Sequence, residues 1–344
     1  RNLKMYLRLG MKITKIHRVL EFDQSPWLKP YIDFNTQCRA AGTTDFQKDF
    51  FKLMNCSVFG KTQENLRNRV NVELVTDEKI QKKRVSSPKF KYGMEINEYL
   101  TIIQSKITTL MLNRPSYVGF AVLELSKLLM YEFHYGYIKQ KYPDAKLCFT
   151  DTDSLTYLIQ TDDIYKDMLS DHEHFDFSEY PDNHAMFNDL DGEYVRHLKQ
   201  KNKKVVGKMK DEFKGIAPKE FVGLRPKLYS FSYKREAHYE VINGEEIEVK
   251  EPTPTSIKKI LDENKQTAKG IKESVKEAHL RHEQYLNTLN ELSTVNVSQN
   301  LIQSKHHRLH SINVKKVALT GFDTKRWLLN DGIHTLAHGH YETL

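Results

Sequence analysis

The stretch KLCFTDTDSLTYLI, from Lys146 to Ile159, constrains the fold more than any other part of the chain. Two apolar, β-type runs flank the polar residues Asp151–Ser154, a pattern that predicts an antiparallel hairpin closed by a tight turn. Two carboxylates stand one residue apart in that turn. Ionised carboxylates are costly to bury unless something cationic compensates them. On a period-two reading Asp151 and Asp153 lie on the same side, so both face one point. Two oxygen ligands at one point suit Mg²⁺, which keeps waters and takes further ligands from phosphates. The plainer alternative is a polar hairpin turn that binds nothing.

Helical and strand periodicities organise the rest. Residues 1–10 read as one short helix, and the alternation of 11–22 reads as a strand. Two helices follow, joined near Ala41–Thr44, with Pro26 a start for the first and Thr44 an N-cap for the second. Residues 70–75 alternate as a strand, and Pro115 opens a long helix. Residues 203–234 form a lysine-rich strand region. The charged segment from about 254 reads as helical, with Pro252 and Pro254 marking a boundary before it.

With 344 residues the chain is long enough for a large core or several subdomains. Its 53 Lys and Arg against 45 Asp and Glu give a net charge of +8, which favours polyanionic partners. Three scattered cysteines exclude a disulfide framework or zinc ribbon and point to a reducing, intracellular setting rather than secretion. No apolar run approaches the ~20 residues of a membrane-spanning helix, so no membrane partner is expected.

Two further segments carry chemistry. In KLMNCSVFGK, Lys52 and Cys56 stand one helical turn apart, with Ser57, Phe59 and Gly60 beyond them. A lysine there suits a triphosphate, an aromatic can stack on a base, and a glycine admits a base pair close to the backbone. Taken alone, this is an amphipathic helix. In GLRPKLYSF, Lys227 and Tyr229 alternate onto one strand face, a pair able to grip a nucleic-acid backbone.

In this order the three segments resemble the family B DNA polymerases, in particular the protein-primed type of Polinton/Maverick transposons and related viruses. The family's palm hairpin reads Y-x-D-T-D-S, and here stands Phe149-Thr150-Asp151-Thr152-Asp153-Ser154. Its fingers helix carries K-x3-N-S-x-Y-G, matched by Lys52, Cys56, Ser57, Phe59 and Gly60, and its K-x-Y element is matched by Lys227-Leu228-Tyr229. The resemblance implies an α+β fold: an antiparallel palm sheet, helical fingers and a mixed α/β thumb. It divides the chain into partial palm (1–25), fingers (26–69), palm (70–235), and thumb with C-terminal segment (236–344).

The resemblance also implies template-directed nucleotidyl transfer from dNTPs to a primer 3′-hydroxyl on primer–template DNA, assisted by two Mg²⁺ ions, with Mn²⁺ an alternative. Asp153 would ligate the metals with Asp151 in support. Lys52 would contact the dNTP phosphates, and Cys56, Phe59 and Gly60 would complete the nucleotide site. Lys227 and Tyr229 would hold primer-terminus DNA. A terminal-protein primer is a further implied partner, and the nucleus or a viral replication site the implied location.

The departures are specific. Cys56 replaces Asn, while Phe59 and Phe149 replace Tyr. The family's first metal aspartate, in D-x-x-S-L-Y-P, has no match in residues 1–40, where Asp23 is the nearest carboxylate without the rest of the motif. The expectation is therefore a C-terminal fragment without that element or the exonuclease domain. Two rivals remain: a catalytically inactive, transposon-derived DNA-binding remnant, and an RNA-templated or RNA-synthesising polymerase, against which the Lys52 helix and the K-x-Y element argue.

Residues 198–219 hold eight lysines against two acids, and Lys208 and Lys210 are candidates for neutralising template or primer phosphates. The histidines at 306, 307, 310, 334, 338 and 340 read as surface or packing residues rather than metal ligands.

Overall fold

The computed structural model describes every residue except 243–244, 250–252, 255, 324–325, 332–333 and 344. The boundary expected at Pro252 lies outside the described residues. Helices and antiparallel sheets are combined in an α+β arrangement, and the chain divides into two units. The first comprises Arg1–Ile138 with Ser304–Arg308, and the second Lys139–Gln303 with Leu309–Leu344. The boundary at Ile138/Lys139 falls inside the segment expected as palm, 70–235.

The first unit opens with α1 (Asn2–Arg8), α2 (Lys29–Ala41) and α3 (Asp45–Thr62). Thr44 starts α3 through a reciprocal capping box: its hydroxyl accepts from the Gln47 N–H at 3.2 Å, and the Gln47 side chain accepts from the Thr44 N–H at 3.2 Å. Helix α2 begins at Lys29 and not at Pro26, because Trp27 and Leu28 form a turn and Pro30 occupies the first helical turn. Residues 11–22 form no strand, since no neighbouring segment supplies the ladder that alternation requires.

A three-stranded antiparallel sheet follows, in the order β1–β3–β2, built from β1 (Asn71–Val75), β2 (Phe90–Asn97) and β3 (Leu100–Ser105). Ile103, on the central strand, is fully buried. Helix α4 (Glu78–Val85) lies against this sheet, and Arg84 pairs with Glu73 of β1 at 2.8 Å. Helix α5 (Ser116–Tyr131) starts from Pro115 and continues through a π turn to Ile138. It packs on α3 at Gly119, where a Cβ would lie 2.5 Å from the Thr62 hydroxyl.

Glu64, just after α3, ties this unit together. Its carboxylate binds Arg69 at 2.7 Å, Lys61 at 2.9 Å and Arg114 at 3.0 Å. The hydrogen bond from Arg69, then that from Lys61, hold its pKa down at about 2. A depressed carboxylate contributes stability that is complete above its ordinary value of 4.5 and lost as pH falls through the folded value. Acid titration followed by hydrogen exchange of α3 and α5 should therefore show protection falling between about 4.5 and 2, and Glu64→Gln should flatten that window.

The second unit begins with the short α6 (Lys139–Lys141) and the hairpin of β4 (Lys146–Thr150) and β5 (Leu155–Leu158). Helices α7 (Ile164–Ser170) and α8 (Gly192–Lys201) and the parallel pair β6 (Phe175–Asp176) and β7 (Met209–Lys210) follow. Around them Phe175, Phe177, Tyr180, Phe187, Val195 and Leu198 are buried. Next comes a four-stranded antiparallel sheet centred on the 15-residue β9 (Leu228–Ile242). One edge of β9 pairs first with β8 (Pro218–Arg225) and then with β10 (Glu245–Val249). The other edge pairs along its length with β11 (Ile257–Ala268), from Leu228↔Ala268 to Tyr239↔Ile257.

Helices α9 (Glu273–His279) and α10 (His282–Glu291) cross to the hairpin β12 (Thr294–Lys305) and β13 (Arg308–Thr320), and a short pair, β14 (Arg326–Leu328) and β15 (Thr335–Ala337), ends the chain. The region from 254, expected to be helical, is thus mostly strand. The pairing of β11 with β9 outweighs the helix propensity of its Lys, Leu, Glu and Gln residues. Val222, Leu224, Leu228, Ala268, Leu280, Tyr285, Val297, Ala318 and Leu319 form one buried cluster in which β8, β9, β11, α10 and the β12–β13 hairpin meet. No helix among the described residues is long and apolar enough to cross a membrane.

Candidate active site

The expected hairpin is present, and its turn is tighter than the period-two reading assumes. Asp151 and Ser154 exchange backbone hydrogen bonds at 3.2 and 3.3 Å, while the Asp153 N–H donates back to the Asp151 carbonyl at 2.6 Å. Between the two carboxylates Thr152 takes φ +58°, a left-handed conformation that β-branched residues rarely adopt. Strain of that kind is worth of order 1–3 kcal/mol and clusters at functional sites. The strands stop at Thr150 and resume at Leu155, so strand alternation does not govern where the two carboxylates point.

They have different surroundings instead. The Asp151 carboxylate is one-third exposed and accepts from the Lys227 ammonium at 2.7 Å. Asp153 is exposed, and its carboxylate has no hydrogen-bond or ion-pair partner among the described residues. Lys227 reaches Asp151 from the β8–β9 turn, a two-residue loop of Pro226 and Lys227 closed by the pair Arg225↔Leu228. Pro at the first loop position and φ +61° at Lys227 give the pattern of a type II turn. The hydrogen bond to Asp151, and next the charge of that carboxylate, raise the Lys227 pKa above the ordinary lysine value.

A second contact joins the same two elements. The rings of Phe149, on β4, and Tyr229, on β9, lie 4.5 Å apart, and Phe221 of β8 sits 6.2 Å from Tyr229. An ion pair and an aromatic contact therefore bring the D-T-D hairpin and the K-L-Y segment into one place. Lys227 belongs to the turn and Tyr229 to the strand, so they do not alternate on one strand face as expected.

The helix residues lie in the first unit. On α3 Lys52, Cys56 and Gly60 recur every four residues and are all exposed, with Phe59 half-buried beside them. A Cβ at Gly60 would meet nothing within 4 Å, so this helix face is open. Of the three, Lys52 carries the charge.

The lysine run is spent largely within its own unit. Lys210 pairs with Glu179, Lys199 with Asp182 and Lys201 with Glu173, and Lys208 donates to the Glu173 carbonyl at 2.5 Å. Lys203, Lys204 and Lys219 have no side-chain partner among the described residues. Of the histidines, His306 and His307 form a hairpin tip with positive φ beside the Tyr92 ring, and the His334 ring pairs with Asp331.

As to a metal, Mg²⁺ is held in phosphoryl-transfer sites by one or two carboxylates, with waters and substrate phosphates filling the remaining positions. Asp151 and Asp153 are donors of that class, and both fit it in kind. No group of three or more His, Cys, Asp or Glu able to hold a metal stands together among the described residues.

Sequence reasoning missed two features. One is the Asp151–Lys227 pairing itself, which no local pattern announces. The other is a polar chain in which the buried His282 sits 2.9 Å from the buried Ser230 hydroxyl and 3.0 Å from the exposed Glu220 carboxylate, fixing α10 to the sheet. Compared with known proteins, the chain matches no family model, no curated protein and no solved structure.

Proposed function

We propose that this chain carries the palm chemistry of a template-directed DNA polymerase, adding a nucleotide to a primer 3′-hydroxyl with release of pyrophosphate. The observation that carries the reading is the 2.7 Å ion pair between Asp151 and Lys227, which places two separately legible motifs at one point. Asp153, exposed and without a side-chain hydrogen bond or ion pair among the described residues, is the carboxylate we assign to a divalent cation, with Asp151 beside it in the turn. A cation there supplies charge neutralisation at the transferred phosphoryl group.

The chain's own residues do the rest. Lys227 fixes the Asp151 carboxylate and keeps a positive charge where primer phosphates pass. Tyr229, held against Phe149, offers its ring and hydroxyl at the same surface. The exposed Lys52 face of α3, with Cys56, Phe59 and Gly60, suits a triphosphate and a stacked base. Lys208 and Lys210, engaged within the chain, would have to exchange internal partners for DNA phosphates.

A second reading is a DNA-binding protein without catalysis, in keeping with the lack of any group of three or more His, Cys, Asp or Glu able to hold a metal among the described residues. Single-nucleotide addition to a primer–template in Mg²⁺ separates the two. The polymerase reading expects only the dNTP complementary to the template to be added. Binding of the duplex with no addition of any dNTP supports the second reading.

A further inference from the structure

We propose that the hollow beside Lys227 is a phosphate-binding site whose cations are Arg225, Lys227, Lys269 and Lys316. These residues come from distant parts of the sequence and line one cavity of about 300 Å³, together with Pro226, Leu228, Gly270 and Ala318. No carboxylate lines it. The acidic partner among the described residues is Asp151, bound to Lys227 from outside the lining. Arg225 is half-buried, and Arg225, Lys269 and Lys316 have no carboxylate partner among the described residues. Three cations without a carboxylate, beside the paired Lys227, repel one another and raise the potential of the hollow, a cost that a bound anion offsets.

Hydrogen bonds join the turns that line the hollow, the kind of support that holds a binding site in place. The Lys269 N–H donates to the Lys227 carbonyl at 3.2 Å, fastening the β11–α9 turn to the β8–β9 turn. The Lys316 ammonium donates to the Gly270 carbonyl at 3.2 Å. Gly270 takes φ +87°, and a Cβ there would stand 3.1 Å from that ammonium, so glycine is what lets Lys316 come in. Beneath lie Leu228 and Ala318, both in the buried cluster of the unit.

The ligand class is a pair of adjacent phosphates, which a planar guanidinium can fork and ammonium groups can surround. Two sources share that chemistry: consecutive phosphodiesters of a nucleic-acid strand, and free inorganic pyrophosphate. The strand source rests on the polymerase reading; the site itself does not.

The test uses the full chain, the double variant Lys269→Gln/Lys316→Gln, and the control Lys79→Gln/Lys83→Gln, which removes equal charge from exposed positions on α4. Anisotropy of a labelled primer–template duplex is recorded between about 50 and 200 mM salt, and inorganic pyrophosphate is titrated by calorimetry. With the strand as source, the slope of log K against log salt falls by about 0.9 for each lost contact in the cavity variant and not in the control. With free pyrophosphate as source, its affinity falls by roughly tenfold or more, the loss of about one charged contact, and the DNA slope stays. Either loss supports the site. If neither quantity separates the cavity variant from the control, the site is wrong. If the cavity variant shows either loss while the wild-type chain adds no dNTP, the site stands and the polymerase reading falls.

Discussion

On the proposed polymerase function, Asp153→Asn should lower the single-turnover rate of complementary dNTP addition by on the order of 10²–10³, the usual cost of losing one electrostatic group aimed at the transition state. The substitution keeps the shape of the side chain and removes one negative charge. Asp153 is exposed and has no side-chain hydrogen bond or ion pair among the described residues, so its replacement should leave fold and packing as they are. Duplex affinity in the variant should stay within about twofold, because phosphate contacts to cations carry most of it. A loss of that size in rate with affinity intact is the signature of an interaction used in the transition state. If rate and affinity fall together, or neither moves, Asp153 has no catalytic role.

Leu319→Ala destabilises the second unit by about 2–5 kcal/mol. Leu319 is fully buried among Val222, Leu224, Leu228, Leu280, Tyr285 and Val297, where strands, α10 and the β12–β13 hairpin meet. Truncation leaves a cavity that close-packed neighbours fill only in part. Hydrogen exchange reads the effect directly: amides of β9 and β11 should lose protection by roughly 30-fold or more, while the β1–β3–β2 sheet of the other unit keeps its own. The same loss propagates to function, since Leu228, adjoining Lys227 and Tyr229, belongs to this cluster. Uniform loss of protection across both units would mean that the chain unfolds as one body. Unchanged protection in β9 would mean that the cluster does not hold the sheet.

Local signals are legible in the sequence, and long-range ones are not. The start of α3 is legible because Thr44 and Gln47 form a capping box at fixed spacing. The β4–β5 hairpin is legible because two apolar runs flank a polar turn. The segment 11–22 alternates like a strand but has no partner, and alternation says nothing about partners. Strand β11 is rich in helix formers and becomes a strand only because β9 offers twelve residues of pairing edge. In the site, each motif was visible on its own. The geometry of the aspartate turn was not, because threonine at position 152 gives no hint of a positive φ. Nor was the contact between Asp151 and Lys227, which are 76 positions apart. The cationic hollow shows the same limit, for Lys269 and Lys316 look like ordinary surface lysines until the fold brings them to one turn.

The claim that the aspartate hairpin and the K-L-Y segment work as one site is tested most directly by a double-mutant cycle. Single-turnover addition of the complementary dNTP is measured for the wild type, Asp151→Asn, Lys227→Met and the double variant. One shared site predicts strong non-additivity, with a coupling above about 1 kcal/mol, because either single change already breaks the ion pair. Effects that add within about 0.5 kcal/mol, or rates that none of the substitutions alters, would contradict it.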